Sequence, residues 1–268
     1  MTPVEVDRGN GPVVLGLPHT GLYVPDAVSA ALNDTGRALA DTDWKVHRLY
    51  AGLLPDATAV RATFHRYVID ANRDPTGTSL YPGQNTTGLC PIIDFDNRPI
   101  YRDGMAPDAT EIARRIETFH APYHAALAAE LERVRGLHGI AVLYDCHSIR
   151  SRVPFLFDGR LADFNIGTND GATCAPALET LVADICRNAD GYTTTVNGRF
   201  KGGWTTRHYG RPENGLHAIQ MELTQISHLS AEAPPFALDP HKTEALRVPL
   251  KDVLTAIERW AQSQTGGD

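Results

Sequence analysis

Short apolar runs alternate with longer amphipathic stretches along this chain, and no other feature limits its possible folds as strongly. Residues 12–17, 140–144 and 218–223 are each apolar enough to be predicted as buried strands. Between and after them, apolar residues recur at helical spacing over residues 107–135 and 242–261. Strands that alternate with helices indicate an α/β fold with a mixed, mostly parallel sheet flanked by helices.

Weaker signals complete the predicted order of elements. They predict a short helix from residue 25 or 26, a helix over 41–54, strands over 58–62 and 66–69 (or one strand and its continuation), a helix over 175–188 and a strand over 192–196. Residues 74–102 are rich in Pro, Gly, Asn and Asp, which predicts a long irregular loop of a kind that is usually functional. Because neither a repeat nor a linker divides the chain, residues 1–268 are expected to form a single domain.

The composition narrows the possible partners. With 42% hydrophobic and 21% charged residues the chain has the make-up of a soluble globular protein. The net charge of -7 and the lack of any basic run disfavour nucleic-acid binding. No apolar run approaches the ~18 residues of a membrane span, and residues 1–10 lack the apolar core of a signal peptide. Four widely spaced cysteines without a C-x-x-C pair favour reduced thiols, so we expect a cytoplasmic protein.

Four polar residues lie where a catalytic site of an α/β protein is expected, beyond the carboxyl ends of the strands. His19 follows the first apolar strand, His147 follows the strand at 140–144, and Glu222 interrupts an apolar strand. Asp43 opens a predicted helix. Two histidines and a carboxylate are a common catalytic zinc set with one position left for water, and a further carboxylate can take the proton from that water.

Each of these residues also has a purely structural interpretation. The histidines could be hydrogen-bonded core groups, Asp43 could cap its helix, and Glu222 could pair with an arginine. His120 and His124 have the i, i+4 spacing of zinc-binding helices, but the Glu of H-E-x-x-H is absent. We interpret that second pair as structural.

Other catalytic classes find little support in the sequence. There is no G-x-S-x-G segment, no P-loop and no G-x-G-x-x-G between a strand and a helix. Cys146 is adjacent to His147 but would point away from it in a continuing strand, which disfavours a thiol nucleophile.

Arginines concentrate in two segments near predicted strand ends. The segment HRYVIDANR has Arg66 and Arg73 at its two ends, and RFKGGWTTRHYGRP at residues 199–212 contains Lys201, Arg207 and Arg211. Planar guanidinium groups are suited to bidentate binding of carboxylates, although surface charge is the alternative for each.

Seven segments, in order along almost the whole chain, resemble the N-formylglutamate amidohydrolases (deformylases) of histidine degradation. They are LPHTGLYVP at 17–25, LADTDWKVHRLY at 39–50, HRYVIDANRDP at 65–75, LYDCHSIRSRVP at 143–154, FNIGTNDG at 164–171, FKGGWTTRHYGRP at 200–212 and IQMELTQ at 219–225. The resemblance implies a fold similar to zinc carboxypeptidases and aspartoacylases, with a mixed eight-stranded sheet flanked by helices.

The resemblance also implies roles for individual residues. His19 and His147 would be zinc ligands, although another divalent ion could serve. In the carboxypeptidase pattern the first histidine is followed by x-x-Glu, whereas Leu22 stands at that position here. Asp43 is therefore predicted as the third ligand, with Asp41 as the alternative.

Glu222 corresponds to the general base of that wider group. In the aspartoacylase-like segment Arg66 would stabilise the oxyanion, and Asn72 with Arg73 would hold a substrate carboxylate; Arg207 is predicted to hold the other. The expected reaction is zinc-dependent hydrolysis of N-formyl-L-glutamate to formate and L-glutamate. The alternatives are a deacylase of another N-acyl acidic amino acid, such as N-formylaspartate, and a catalytically silent metal- or amino-acid-binding protein.

Overall fold

A mixed sheet forms the centre of the computed structural model, which describes residues 2–79 and 83–264. Within these residues the sheet has seven strands in the order β1-β3-β2-β4-β7-β5-β6, where the family resemblance implies eight. The strands are β1 Val4–Asp7, β2 Val13–Leu17, β3 Thr58–Ala62, β4 Ala141–Ile149, β5 Phe164–Gly167, β6 Thr194–Val196 and β7 Leu216–Thr224. The pairs β1–β3 and β5–β7 are antiparallel and the other four are parallel, which confirms the predicted mixed, mostly parallel sheet.

Helices cover both faces of the sheet. They are α1 Asp26–Ala31, α2 Asp34–Arg37, α3 Val46–Tyr50, α4 Ala109–Arg115, α5 Ala121–His138, α6 Pro176–Arg187, α7 Trp204–Tyr209 and α8 Pro240–Gln264, with a π-helical turn at Ile116–His120 between α4 and α5. One apolar core joins α5 to side chains such as Val14 and Leu143. A second core joins α3, α6 and α8 to the opposite face through residues such as Leu15 and Met221. None of the helices in the described ranges is long and apolar enough to cross a membrane.

Strand β4 continues well beyond the apolar run that predicted it. Since side chains alternate between the faces of a strand, Asp145 and His147 lie on the α5 face with Leu143, and Cys146 packs in the core on the opposite face. The side chains of Cys146 and His147 therefore point to opposite faces of the sheet, as expected. On the neighbouring strand, Glu222 is in register with His147.

Two predicted elements differ from the structure for local reasons. The helix predicted over 41–54 is confined to Val46–Tyr50. Lys45, directly before it, has a positive φ of 64°, and the Asp43 amide donates to the His19 carbonyl at 3.1 Å instead of forming a helical hydrogen bond. The strand predicted at 66–69 is a buried turn. The loop expected over 74–102 is irregular wherever the structure describes it; residues 80–82 lie outside the described ranges.

Candidate metal centre and active site

Three buried side chains converge at the carboxyl edge of the sheet. His147 Nδ1 lies 3.2 Å from His19 Nδ1 and 3.2 Å from Asp43 Oδ2, and the His19 Nδ1 to Asp43 Oδ2 distance is 3.6 Å. Ligand atoms on a tetrahedral zinc ion are about 3.3 Å apart, because zinc bonds to nitrogen and oxygen are roughly 2.0–2.1 Å long. The triangle of donor atoms therefore fits a zinc ion or a similar divalent ion.

A carboxylate stands behind each histidine. His19 Nε2 donates to Asp70 Oδ1 at 2.7 Å, and His147 Nε2 donates to Asp145 Oδ2 at 3.0 Å. Because each Nε2 carries the hydrogen, each Nδ1 directs a lone pair into the triangle beside Asp43. Carboxylates in this position fix the ring orientation and tautomer of histidines that bind metals.

Asp70 and Asp145 are not among the predicted site residues, although the sequence contains a signal for both. Each is a carboxylate within an apolar segment, VIDA and LYDC, and both are fully buried. Such a group needs a partner. Gly16, which faces Asp145 from β2, leaves room for it: a Cβ there would lie 3.2 Å from the Asp145 Oδ1 atom.

The charges within the triangle are coupled. Burial alone would raise the pKa of Asp43, but His19 and His147 lower it below its usual range, and the Ser148 amide donates to its Oδ2 at 3.1 Å. Burial alone would lower the pKa of His147, whereas Asp145 and Asp43 raise it well above its usual value. A proton and a metal ion therefore compete for His147 Nδ1.

Asp41, the alternative third ligand, occupies a different environment. Its Oδ2 accepts from the Tyr67 hydroxyl at 2.7 Å and from the Phe95 amide at 2.9 Å, and burial raises its pKa to about 6. The structure thus brings Asp43 to the two histidines and uses Asp41 to tie Tyr67 to the loop that contains Phe95.

Glu222 borders the same cavity as the triangle. Its Oε2 lies 3.4 Å from Gln220 Nε2, and Gln220 Oε1 accepts from the Gly203 amide at 2.7 Å. Burial raises the pKa of Glu222 to about 8, against the opposing effect of His147. A carboxyl group that titrates near neutral pH beside a candidate metal site is suited to proton transfer.

Arg66 is buried beside the triangle. One of its Nη atoms contacts His19 Nδ1, the guanidinium lies over the Phe95 ring at 5.0 Å from its centroid, and Asp70 Oδ2 is 3.9 Å away. The residue predicted to stabilise an oxyanion thus lies beside the triangle of His19, Asp43 and His147.

A cleft that is partly open to solvent lies in front of these groups. Arg73 and Arg199 border it together with Arg66. Arg199 Nε donates to the Leu156 carbonyl at 2.7 Å, and its position in the lining had no signal beyond its place in an arginine-bearing loop. Arg207 lies outside the lining, on α7, where its Nε donates to the Gly202 carbonyl at 2.9 Å.

Asn72 and Arg73 are held firmly by the protein. Asn72 Oδ1 accepts from the Thr205 amide at 2.9 Å, and its Nδ2 is 3.3 Å from His147 Nε2. A Cβ at Gly203 would overlap the Asn72 amide, so only glycine permits this approach. Arg73 Nε donates to the Thr87 carbonyl at 2.9 Å, and the whole side chain is about one quarter exposed, at 23%.

Known proteins resemble this chain over most of its length. A family model described as N-formylglutamate amidohydrolase matches residues 11–228. The chain is 46% identical over 259 residues to a protein of Pseudomonas aeruginosa named N-formylglutamate deformylase, with 96% of both chains covered. It is 42% identical over 254 residues to a protein of the same name from Pseudomonas putida, with 94% of both covered.

Solved structures with a similar fold were also found. An N-formylglutamate amidohydrolase from Ralstonia eutropha JMP134 superimposes with a TM-score of 0.78 at 28% identity, and the match covers 98% of both chains. The Agrobacterium tumefaciens protein Atu2144 superimposes with a TM-score of 0.72 at 19% identity, covering 97% of this chain and 96% of that one, and shows the fold alone.

Proposed function

The chain belongs to the N-formylglutamate amidohydrolase family, and on that premise we propose that it hydrolyses N-formyl-L-glutamate to formate and L-glutamate. The observation that carries the proposal is the buried triangle of His19, Asp43 and His147 with Glu222 beside it in one cleft. A hydrolase of a linear amide needs a means to activate water, a proton carrier and a site for the developing charge, and this cleft has residues for each.

The metal would be held by His19 Nδ1, His147 Nδ1 and a carboxylate oxygen of Asp43. Zinc is our choice because the separations of these atoms suit its tetrahedral geometry. When bound, zinc supplies Lewis acidity that makes water nucleophilic near neutral pH and polarises the formyl carbonyl. Asp70 and Asp145 keep both imidazole rings in the tautomer that the site requires.

Glu222 would accept the proton of the attacking water at its carboxylate and pass it to the departing nitrogen of glutamate. Its position supports this role, since it is in register with His147 on the adjacent strand and borders the cleft. A pKa of about 8 allows the group both to accept and to return a proton at moderate cost. Arg66 would stabilise the negative charge that develops on the carbonyl oxygen, because its buried guanidinium already points at the triangle.

The two carboxylates of the substrate require cationic partners. Arg73 at the border of the cleft, with Asn72 beside it, is our choice for one of them. For the other, the sequence indicates Arg207, whereas Arg199 is the arginine that borders the cleft. Both are retained as candidates, to be separated by substitution.

Formate release from N-formyl-L-glutamate tests the proposal directly. We expect hydrolysis that is lost after treatment with a chelator and recovered on addition of zinc. Faster turnover of N-formylaspartate would establish the alternative deacylase. A protein that binds zinc but releases no formate from either compound would instead be a silent binding protein, and the proposed activity would be wrong.

The family resemblance also leads us to propose that the reaction ends a route of histidine degradation. Cells without the gene should then accumulate N-formyl-L-glutamate when they are supplied with histidine. Unchanged levels of that compound in such cells would contradict the proposed pathway without affecting the proposed reaction.

A further inference from the structure

Residues 68–73 carry three groups of the candidate site on backbone that belongs to neither a helix nor a strand. Asp70 supports His19, Asn72 contacts His147, and Arg73 borders the cleft. The segment is almost wholly buried, so its carbonyl groups cannot rely on water and need donors from the protein.

Two histidines of one helix supply such donors. His124 Nε2 donates to the Ala71 carbonyl at 2.7 Å, and His120 Nε2 donates to the Arg73 carbonyl at 3.0 Å. Burial lowers the pKa of His124 to about 3 and also lowers that of His120, so both rings are neutral. Since a carbonyl can only accept, each neutral ring has its hydrogen on Nε2.

The π-helical turn aligns these donors. The Ala121 amide donates to the carbonyl of Ile116, five residues earlier, so residues five apart are one turn apart here. Arg115 and His120 are therefore brought to the same side of the helix. Arg115 Nη1 donates to the Val68 carbonyl at 2.9 Å, which makes it a third donor to the same segment.

The start of α7 also holds the segment. The Thr205 amide donates to Asn72 Oδ1, and the Trp204 ring packs against the rings of His124 and His120, with centroids 4.6 and 5.5 Å apart. The histidines are thus fixed between the segment and an aromatic side chain, and their rings have little freedom to move.

We propose that His120 and His124 are positioning residues, whose bonds to the Arg73 and Ala71 carbonyls hold the Arg73 guanidinium at the cleft and the Asp70 carboxylate behind His19. The proposal rests on the proposed function, in which Arg73 binds a substrate carboxylate and His19 binds zinc. His120 bonds to the carbonyl of the substrate-binding residue itself, so its loss should act on substrate affinity. His124 bonds to the Ala71 carbonyl, which lies between Asp70 and Asn72 in the chain, so its loss should act on the metal site.

The first experiment compares His120→Leu with His120→Gln, whose amide can place a donor near the position of Nε2. For N-formyl-L-glutamate we expect KM to rise about tenfold in His120→Leu with kcat within about threefold, the scale of one lost hydrogen bond to a buried group. His120→Gln should recover most of the affinity. His138→Leu is the matched control, because His138 lies on the same helix and donates to a carbonyl, that of Asn10, at 2.7 Å.

A double-mutant cycle shows whether His120 acts through Arg73. In an Arg73→Ala background, His120→Leu should raise KM no further, because the group that it positions is already absent. An equal increase in both backgrounds, or an unchanged KM in folded His120→Leu, overturns the proposal. If His120→Leu does not fold, His120→Asn replaces it, since the shorter amide cannot reach the carbonyl.

Zinc affinity gives a readout that does not depend on activity. His124→Leu should weaken zinc binding by about tenfold, as expected when the support of a metal-binding histidine is disturbed, and His138→Leu should not. Unchanged affinity in folded His124→Leu would overturn the role of His124. If the wild-type protein binds zinc but releases no formate, the proposed function is wrong, and the zinc affinities still test the role of His124.

Discussion

The candidate site has two halves that differ in what holds them. In the sheet half, His147 and Glu222 extend from β4 and β7, whose parallel pairing runs without interruption from Ala141 opposite Leu216 to Ile149 opposite Thr224. Backbone hydrogen bonds between the two strands fix the relative positions of these two residues. In the loop half, residues 66–73 have no such ladder.

The loop half relies on side chains from elsewhere in the chain. Arg115, His120 and His124 donate to its carbonyls, and the Thr205 amide donates to Asn72. A functional group on a strand is thus placed by the backbone, whereas one on a loop is placed by several side chains that must all be present. Substitutions should accordingly remove chemistry cleanly in the sheet half, and should disturb binding, stability or both in the loop half.

The largest effect is expected from removing a metal ligand. His147→Ala should retain its fold, because β4 is held by backbone bonds, but should lose nearly all of the roughly one equivalent of metal expected for such a site. His19→Ala should lose metal equally. Metal analysis after dialysis measures this, with His217→Ala, a buried histidine outside the triangle, as the control.

The third ligand can be identified in the same assay. Asp43→Asn should lose metal, whereas Asp41→Asn should keep it, because Asp41 bonds Tyr67 and Phe95 instead. Full occupancy in His19→Ala and His147→Ala would show that the triangle is not a metal site.

Glu222→Gln should separate chemistry from binding. The amide keeps the shape of the side chain but cannot take a proton, so kcat should fall by ~100-fold or more while the fold, zinc content and KM change little. Formate release and metal analysis on one preparation measure this, with Glu258→Gln on α8 as the control. If the variant loses its zinc, Glu222 is a ligand; if its kcat is near normal, the proton is carried by another group.

Removal of a substrate-binding arginine should have a smaller effect. Arg73→Ala should reduce kcat/KM roughly 30-fold. This factor corresponds to about 2 kcal/mol, the scale of a lost hydrogen bond to a charged group. The single variants Arg199→Ala and Arg207→Ala, assayed side by side, would show which arginine holds the second carboxylate. N-formylglutamine should be a poor substrate, and equal turnover of the acid and the amide would rule out this mode of binding.

The last effect concerns the stability of the loop half and its dependence on pH. Burial, with contributions from His120 and His208, depresses the pKa of His124 to about 3, below the value of about 6.5 in an unfolded chain. Between these two pH values the unfolded chain binds more protons at His124 than the folded chain does. The stability of the fold that depends on a neutral His124 is therefore complete above pH 6.5 and is lost as pH falls towards 3. A single group of this kind changes the free energy of unfolding by at most about 1.4 kcal/mol per pH unit.

Urea unfolding at several pH values between 4 and 7 measures that contribution. The free energy of unfolding of His124→Phe should fall less steeply with decreasing pH than that of the wild type. Parallel slopes for the two proteins would show that His124 does not titrate as its burial implies.

The sheet half was also the part that the sequence predicted well. His147 and Glu222 are polar residues in or directly after apolar strands, and the cost of burying them is itself a signal. The same signal is present at Asp70 and Asp145. Asp43 could not be separated from a helix cap, because its local sequence allows both roles.

The loop half was predicted less completely, for physical reasons. Residues 66–69 have the composition of a strand, and donors from distant parts of the chain make a buried turn possible: the Tyr101 hydroxyl donates to the Tyr67 carbonyl, and Arg115 donates to the Val68 carbonyl. The exposed edge strand β1 and the short strand β5 have too little apolar pattern to be recognised. That Arg199 borders the cleft and Arg207 does not depends on how two loops fold over each other, which local sequence does not encode.

The matched register of β4 and β7 also bears on how the protein can diversify. His147 and Glu222 are separated by one strand spacing, about 4.8 Å in any sheet. Surface loops can lengthen, shorten or exchange without altering that interval, so a new substrate pocket can be grafted over an unchanged reaction centre. A one-residue shift of β7 would instead turn Glu222 to the opposite face and bring apolar Met221 to the cleft. Variation compatible with activity should therefore accumulate in the covering loops and avoid insertions or deletions within these two strands.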